Sequence, residues 1–278
     1  MKNVLLLICL ASCVTCLRAE LADGVIPSGS TVTQLATLPA GGAGTSDTDV
    51  VRLAPDGRPT VSANGHIVSL VEERGEPFFD WAPVRQDGGR LVDYCFLDAE
   101  RIAVLQETRL KIVQDGGCVV NYTLPARGGR LSRADGRHCY LFGGALESLL
   151  LVGDDGSVSN LLQSSGITAV AGDGRSTFAA LGDTVYFLDA VSGPSPVLMT
   201  RKPVVDLALG SSNSVFYVTS EGLGCMTRPG SAWVFWPQKT LSIDCRADRL
   251  LLLTADREVY LVDPVTGFPA LVDKAVVP

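Results

Sequence analysis

A glycine that recurs at a nearly constant interval constrains this chain more than any other feature. The glycines in question each follow a short apolar run, and they are Gly75, Gly117, Gly156, Gly193, Gly230 and Gly267. The successive gaps between them are 42, 39, 37, 37 and 37 residues. A period of this length is typical of proteins in which each repeat is one supersecondary unit. The chain of 278 residues is therefore expected to contain six similar units.

Each unit divides into four short segments rich in Val, Leu, Ile, Tyr and Phe, which Gly, Asp, Asn and Pro separate. The fourth unit reads "ITAVAGD", "STFAALG", "TVYFLDAVSG" and "PVLMTRK". The sixth reads "LSIDCRA", "RLLLLTA", "EVYLVDPVTG" and "PALVDKAVV". No helical stripe of apolar residues occurs beyond the first twenty residues. The pattern predicts an all-β chain with four antiparallel strands in each unit.

Six small sheets bury both of their faces when they pack around a common axis. We therefore predict a six-bladed β-propeller over residues 49–278, with four antiparallel strands per blade. Residues 20–48 are expected to be an N-terminal tether that contains one strand, at residues 31–38. A sandwich of two sheets is the alternative architecture. It accounts for the short strands but not for the period of 37 residues.

The corner "GDDG", residues 153–156, is predicted to be a turn between the third and fourth strands of a unit. Glycine tolerates positive φ, and aspartate hydrogen-bonds its own backbone, so both residue types suit such a corner. A Ca²⁺-binding loop instead needs oxygen ligands spread over about a dozen residues. Two adjacent aspartates do not provide that spacing.

The first twenty residues, "MKNVLLLICLASCVTCLRAE", are typical of an export signal. The apolar stretch is shorter than the ~20 residues that a membrane-spanning helix needs. We predict that residues 1–19 are a signal peptide or a lipoprotein signal, that no later segment spans a membrane, and that the protein is extracytoplasmic. The segment "LASC" resembles a lipobox, which would lipidate Cys13, while residues 17–19 form a weaker ordinary cleavage site. Both processing routes remain open.

Composition and cysteine spacing exclude several classes of function. The net charge is −7 and no Lys/Arg-rich run occurs, so the footprint of a nucleic-acid-binding protein is missing. The cysteines beyond the leader are Cys95, Cys118, Cys139, Cys225 and Cys245. None of them has the C-x-x-C spacing of a metal or redox site. We expect buried thiols.

The sequence contains few of the residues and motifs that are typical of an active site. Its two histidines are His66 and His138, and no G-x-S-x-G or phosphate-binding loop occurs, which argues against a serine hydrolase and a nucleotide-binding enzyme. The aromatic residues of two predicted outer strands are expected to be core between blades rather than an exposed patch. These residues are Phe78, Phe79, Trp81, Trp233 and Trp236.

The first strand of each predicted blade lines the central channel, and three of these strands contain an aspartate. The three aspartates are Asp93, Asp206 and Asp244, and Arg52 and Arg133 take related places in two other units. Converging carboxylates could bind a hard cation such as Ca²⁺. We expect instead solvated channel-wall residues whose charge arginine offsets, with no metal and no cofactor.

Two segments resemble the repeats of a known group. "VYFLDAVSG" (residues 185–193) and "VYLVDPVTG" (residues 259–267) are similar to the repeats of bacterial β-propellers of the quinoprotein-like kind, including an outer-membrane assembly scaffold. The resemblance covers a few residues per unit and implies the fold. Quinoprotein repeats usually place Trp four residues after the final Gly. Here Val197 and Leu271 stand at those places, so the resemblance implies no quinone cofactor.

Together these patterns predict an exported, non-enzymatic binding scaffold of the cell envelope. Loops on one propeller face would bind a protein or a glycan, and no catalytic residue is predicted. The alternative is a metal-dependent propeller hydrolase of the lactonase or esterase kind, which would use Asp93, Asp206 and Asp244. Convergence of three or more polar side chains at one channel mouth would distinguish the enzyme from the scaffold.

Overall fold

The computed structural model describes residues 31–37, 50–63, 66–70, 90–210, 214–228, 231–236, 239–247 and 249–263. In these segments the strands pair antiparallel and form six sheets. No helix in these segments is both long and apolar enough to cross a membrane.

Four sheets are each built from four consecutive strands. Sheet 2 contains β5 (Leu91–Phe96), β6 (Arg101–Gln106), β7 (Arg109–Gln114) and β8 (Gly117–Thr123). Sheet 3 contains β9 (Arg130–Arg133), β10 (His138–Phe142), β11 (Ser148–Gly153) and β12 (Val158–Gln163). Sheet 4 contains β13 (Ile167–Gly172), β14 (Thr177–Leu181), β15 (Thr184–Asp189) and β16 (Gly193–Met199). Sheet 5 contains β17 (Asp206–Leu209), β18 (Val215–Thr219), β19 (Gly222–Arg228) and β20 (Ser231–Trp236).

The remaining two sheets join the ends of the described chain. Sheet 1 contains β2 (Val51–Leu53), β3 (Pro59–Ala63) and β4 (His66–Ser69). Sheet 6 contains β21 (Thr240–Arg246), β22 (Arg249–Thr254), β23 (Glu258–Asp263) and, as its fourth strand, β1 (Thr31–Thr37). In β1, Thr31 lies opposite Asp263 and Thr37 lies opposite Glu258. An early strand therefore completes the last sheet.

The first strands of the six sheets form a closed ring. Each contacts the first strand of the next sheet, from β2 through β5, β9, β13, β17 and β21, and β21 contacts β2. Apolar side chains of neighbouring sheets interdigitate between them. Leu105 of sheet 2, for example, shares a buried cluster with Leu141 of sheet 3, and Phe216 of sheet 5 shares one with Leu250 of sheet 6. The predicted all-β propeller architecture is confirmed, and a two-sheet sandwich is excluded.

Two details of the predicted architecture need correction. Five sheets have four strands, so the described residues show five complete blades rather than six. Sheet 1 has three strands there, and the segment "PFFDWAP" predicted as its fourth lies outside the described residues. The predicted last strand "PALVDKAVV" lies outside the described residues, and the edge of β23 predicted for it is paired with β1. The strand expected in a tether is thus part of sheet 6.

Where the structure describes it, the recurring glycine lies in or directly after the turn between the third and fourth strands. Gly117 is the first residue of β8, and the positive φ values of that turn belong to Asp115 and Gly116. Gly156 and Gly193 have φ values of 81° and 78°, which non-glycine residues rarely adopt. In the corner at residues 153–156, the Gly156 amide donates to the Gly153 carbonyl at 3.0 Å. The Asp155 carboxylate accepts from the Ser157 amide at 2.9 Å. The prediction of a turn is confirmed at this corner, while Gly75, Gly230 and Gly267 lie outside the described residues.

Candidate functional site at the propeller axis

Arg52 of β2 lies at the axis and joins three sheets. Its side chain is buried, at 7% exposure. Nη2 donates to both Asp93 oxygens, at 2.9 and 3.1 Å, and to the Leu131 carbonyl at 3.2 Å. Nε donates to the Tyr94 carbonyl at 3.0 Å. Hydrogen bonds between a guanidinium and a carboxylate are charge-assisted and stronger than neutral ones, so sheet 1 is anchored to sheets 2 and 3.

The charge of Arg52 is maintained by the carboxylates that surround it. Burial acts to lower its pKa, but the charges of Asp93, Asp244 and Asp206 act to raise it, and the net pKa is raised. Arg52 therefore remains a buried cation. A buried cation needs compensating negative charge close by, which the three aspartates of the first strands supply.

Asp93 binds the backbone of the next sheet as well as Arg52. It is 1% exposed. Its Oδ1 accepts from the Tyr94 amide at 2.7 Å, and its Oδ2 accepts from the Leu131 amide of β9 at 2.9 Å. The carboxylate thereby holds the first strands of sheets 2 and 3 together.

Asp206 repeats this arrangement between sheets 5 and 6. It is 5% exposed. Oδ1 accepts from the Leu207 amide at 3.0 Å, and Oδ2 accepts from the Ile243 amide at 2.9 Å. Oδ2 is also 3.0 Å from Nη2 of Arg130, which is the first residue of β9. The arginine partner of Asp206 comes from sheet 3, and the sequence analysis did not select it.

Asp244 makes the same link between sheets 6 and 1. Oδ1 accepts from the Cys245 amide at 3.0 Å, and Oδ2 accepts from the Leu53 amide at 2.6 Å. Burial raises the pKa of this carboxyl, although the charges of Arg52, Arg133 and Arg246 and the Leu53 amide act against the rise. Three of the six sheets thus use one aspartate each to bind the following sheet.

These hydrogen bonds show the role of Asp93, Asp206 and Asp244, the three predicted candidates for metal binding. In the segments that the structure describes, no group of three His, Cys, Asp or Glu residues lies close enough to hold a metal ion. Each aspartate instead turns an oxygen to a backbone amide of its neighbour. The expectation of solvated side chains is wrong for Asp93 and Asp206, which are buried. Their predicted pairing with arginine is found, with Arg52 and Arg130 respectively.

A small cavity of about 30 Å³ lies on the axis. Its lining includes Arg133 at the end of β9 and Arg246 at the end of β21, together with Arg52, Asp206 and Asp244. Burial lowers the pKa of Arg246, and the positive charge of Arg133 lowers it further. Two arginines therefore line the same cavity.

The two ends of the channel differ in the residues that surround them. The first strands start on the propeller face where the last strand of one sheet connects to the first strand of the next. On this face Val205, just before β17, and Leu241 of β21 are exposed at 42% and 43%. Nη1 of Arg130 donates to the Val205 carbonyl at 2.7 Å. We call Arg130, Val205 and Leu241 the axial patch.

A repeated aspartate in the turn after the first strand of sheets 1 to 4 was missed in the sequence analysis. Each of these aspartates accepts from one or two backbone amides two or three residues later, at 2.6 to 3.0 Å. Partial burial acts to raise the pKa of each carboxyl, but the hydrogen bonds that it accepts outweigh this, and the net pKa is lowered. The residues are Asp56, Asp98, Asp135 and Asp173. The repeated letters "DGR" at residues 56–58, 135–137 and 173–175 were the available signal.

The same turns bind neighbouring sheets to each other. Arg101 of sheet 2 pairs with Asp98 and with Asp154 of sheet 3, and it donates to the Gly136 carbonyl at 3.1 Å. Asp154 also accepts from Arg137 at 3.0 Å. The corner at residues 153–156 is therefore part of an ionic contact between sheets 2 and 3.

The structure describes the side chain of His138 but only the backbone of His66, in β4. Nδ1 of His138 is 3.0 Å from Oδ1 of Asp135 in its own turn. Trp236 is 8% exposed and its ring packs at 5.2 Å from that of Tyr260, which confirms the expectation of core for this residue. Three of the predicted aromatics, in "PFFDWAP", and the side chain of Trp233 lie outside the described part of the chain.

Four of the five cysteines beyond the leader are buried, as predicted, and Cys118 is exposed. A hydrogen bond with Cys139 of the next sheet, together with burial, raises the pKa of the Cys95 thiol. Burial likewise raises the pKa of Cys225. Cys13, the predicted lipidation site, lies outside the described residues.

No family model and no curated protein matches the sequence. A catalytically inactive virginiamycin B lyase from Staphylococcus aureus with quinupristin is a structural neighbour, with a TM-score of 0.59 and 10% identity over 88% of this chain and 93% of that chain. A putative gluconolactonase has a TM-score of 0.58 and 14% identity over 85% and 92%. A chain of the mitotic checkpoint complex has a TM-score of 0.56 and 11% identity over 87% and 98%. Likeness at this identity shows the propeller fold alone.

Proposed function

We propose that this chain is an extracytoplasmic, six-bladed propeller that acts as a non-enzymatic scaffold and binds a protein through the axial patch. The observation that carries the proposal is the exposure of Val205 and Leu241 on the face where the first strands start, where Arg130 bonds the Val205 carbonyl. Arginine is enriched at protein interfaces, and the two exposed aliphatic side chains add apolar area that a partner would bury. A protein partner fits this patch better than a glycan, because two aliphatic side chains offer a sugar no hydrogen bonds.

Polar side chains do converge at the axis, which is the arrangement expected of the enzyme. The bonds that the axial carboxylates make nevertheless favour a scaffold over a hydrolase. Asp93 and Asp206 each accept hydrogen bonds from two backbone amides and pair with one arginine. A carboxylate committed in this way is a poor metal ligand or general base, because a substrate or cation would have to displace bonds that hold the ring together. Among the structural neighbours are a lyase, a putative lactonase and a chain of a protein complex, so the fold is compatible with either class.

The count of six blades rests on sheet 1. Its first strand occupies its own place in the ring, between β21 and β5. Its strands follow the same order as those of the complete blades. We propose that "PFFDWAP" provides its fourth strand, as the glycine period predicts.

The proposed location rests on the leader. If Cys13 carries a lipid, Cys13→Ser should move the protein from the membrane fraction to the soluble fraction. Mass spectrometry of the mature N-terminus is the decisive measurement. A chain that begins at Glu20 would contradict the anchor and leave an exported soluble protein.

The test of the binding function compares two double variants, each of which replaces two exposed aliphatic side chains with aspartate. Val205→Asp with Leu241→Asp alters the axial patch, and Val158→Asp with Leu161→Asp alters an exposed pair on the outer strand β12, at 37% and 41% exposure. Cross-linking and co-purification from native envelopes should recover the same partner with the wild type and the β12 variant. The axial variant should lose it.

Equal recovery with both variants would contradict the axial patch as the binding surface. A Ca²⁺-dependent lactonase or esterase activity that Asp206→Ala abolishes would contradict the scaffold and support the hydrolase. Circular dichroism of each variant establishes that it is folded before the comparison is made.

A further inference from the structure

We propose that the axial cavity between Arg133 and Arg246 binds one small monovalent anion of the size of chloride. This site lies at the ends of β9 and β21, whereas the axial patch lies at their starts. The inference is therefore independent of the proposed protein-binding function.

The first observation is the approach of two cations from opposite sheets. In a ring of six first strands, β9 of sheet 3 and β21 of sheet 6 stand across the axis from each other. Arg133 and Arg246 line the same cavity, and the charge of Arg133 lowers the pKa of Arg246. Two like charges that line one small cavity repel each other, and an anion between them would offset this repulsion.

The second observation is a buried donor without an acceptor. Nη1 of Arg246 is shielded from solvent and has no hydrogen-bond partner. Buried polar groups in folded proteins are nearly always paired, and an exception calls for a ligand or an ordered solvent molecule. An anion in the cavity would accept this bond.

The third observation is the state of the carboxylates around the axis. Asp93 and Asp206 pair with Arg52 and Arg130, and both Asp244 oxygens accept hydrogen bonds from backbone amides. The charge of Asp56 also acts on Arg246. The bonds of Asp93, Asp206 and Asp244 are thus made with partners other than Arg133 and Arg246, whose charges an anion in the cavity would offset.

The volume of the cavity is sufficient for a small anion. A cavity that holds a single water has about 10–15 Å³, and the axial cavity has about 30 Å³. A one-atom anion such as chloride or bromide fits this space.

A diffraction experiment tests the site directly. Crystals soaked in bromide should show one strong anomalous peak between Arg133 and Arg246. Bromide that is scattered over exposed arginines, with no peak at this place, would overturn the proposal.

Thermal melting tests it in solution. At matched ionic strength, the melting temperature should rise with chloride but not with gluconate or sulfate. Above the dissociation constant the rise should be about 3–5 °C for each tenfold increase in chloride. Arg246→Gln should abolish this dependence, and the exposed Arg175→Gln, on the same face, should retain it.

Two results would overturn the proposal in solution. One is the same melting temperature in chloride and gluconate, and the other is a full chloride dependence in Arg246→Gln. Where Arg246→Gln does not fold, Arg133→Gln provides the same comparison. A response to sulfate equal to that to chloride would show general screening and would also contradict the site.

Discussion

Asp93→Ala should be strongly destabilising, because it removes the carboxylate that compensates Arg52 inside the ring. Arg52 would remain buried, at 7% exposure, without its bidentate partner. The Leu131 amide, which bonds Asp93 at 2.9 Å, would also lose its acceptor. Removing one member of a buried ion pair typically costs about 3–5 kcal/mol. We expect a loss in this range in the free energy of unfolding.

The measurement is urea denaturation at neutral pH, with Glu107→Ala as the matched control. Glu107 pairs with Arg127 at 3.2 Å on the surface, where the two side chains are 52% and 64% exposed. An exposed pair contributes about 0–1 kcal/mol, so the control should change the unfolding midpoint little. Adding Arg52→Met to Asp93→Ala should recover part of the loss, because no uncompensated buried charge then remains.

A loss below about 1 kcal/mol for Asp93→Ala, similar to that of the control, would refute this reasoning. It would mean that water or another acceptor replaces the carboxylate at little cost. The axial aspartates would then have to be reconsidered as available for ligands.

Three further predictions follow from burial and hydrogen bonding. In a chain that starts at Glu20, an aromatic disulfide reagent should label Cys118 rapidly and the other thiols only after unfolding, and Cys118→Ser should remove the rapid phase. Urea midpoints should fall as the pH drops below about 4. The carboxyls of Asp56, Asp98, Asp135 and Asp173 have lowered pKa values, so they stabilise the fold above their unfolded pKa of 3.8. This stabilisation is lost as the pH falls through their folded pKa values. A constant midpoint down to pH 2.5 would contradict this. Deleting residues 1–37 should lower the melting temperature by about 5 °C or more, whereas deleting residues 1–30, which spares β1, should not.

Local sequence signals determined most of the strands. Three of the segments chosen for the fourth unit overlap β13 to β15 closely, because apolar residues between turn formers define a strand without reference to the rest of the chain. The fourth, residues 196–202, begins three residues after the start of β16 and ends three residues after its end. The turn glycines Gly156 and Gly193 were found for a similar reason, since positive φ is a property of single residues. The repeated "DGR" turns were equally local and could have been found in the same way.

Tertiary structure decided how the chain closes and what the axial residues bind. The sequence contained both β1 and the segment after β23 as apolar candidates, and only the closed ring shows that β1 takes the edge of the last sheet. The sequence also placed Asp93, Asp206 and Asp244 on first strands, but their partners belong to other sheets. Whether such a carboxylate binds a metal, water or an amide depends on atoms that closure brings within about 3 Å. Periodicity within one unit carries no information about that distance.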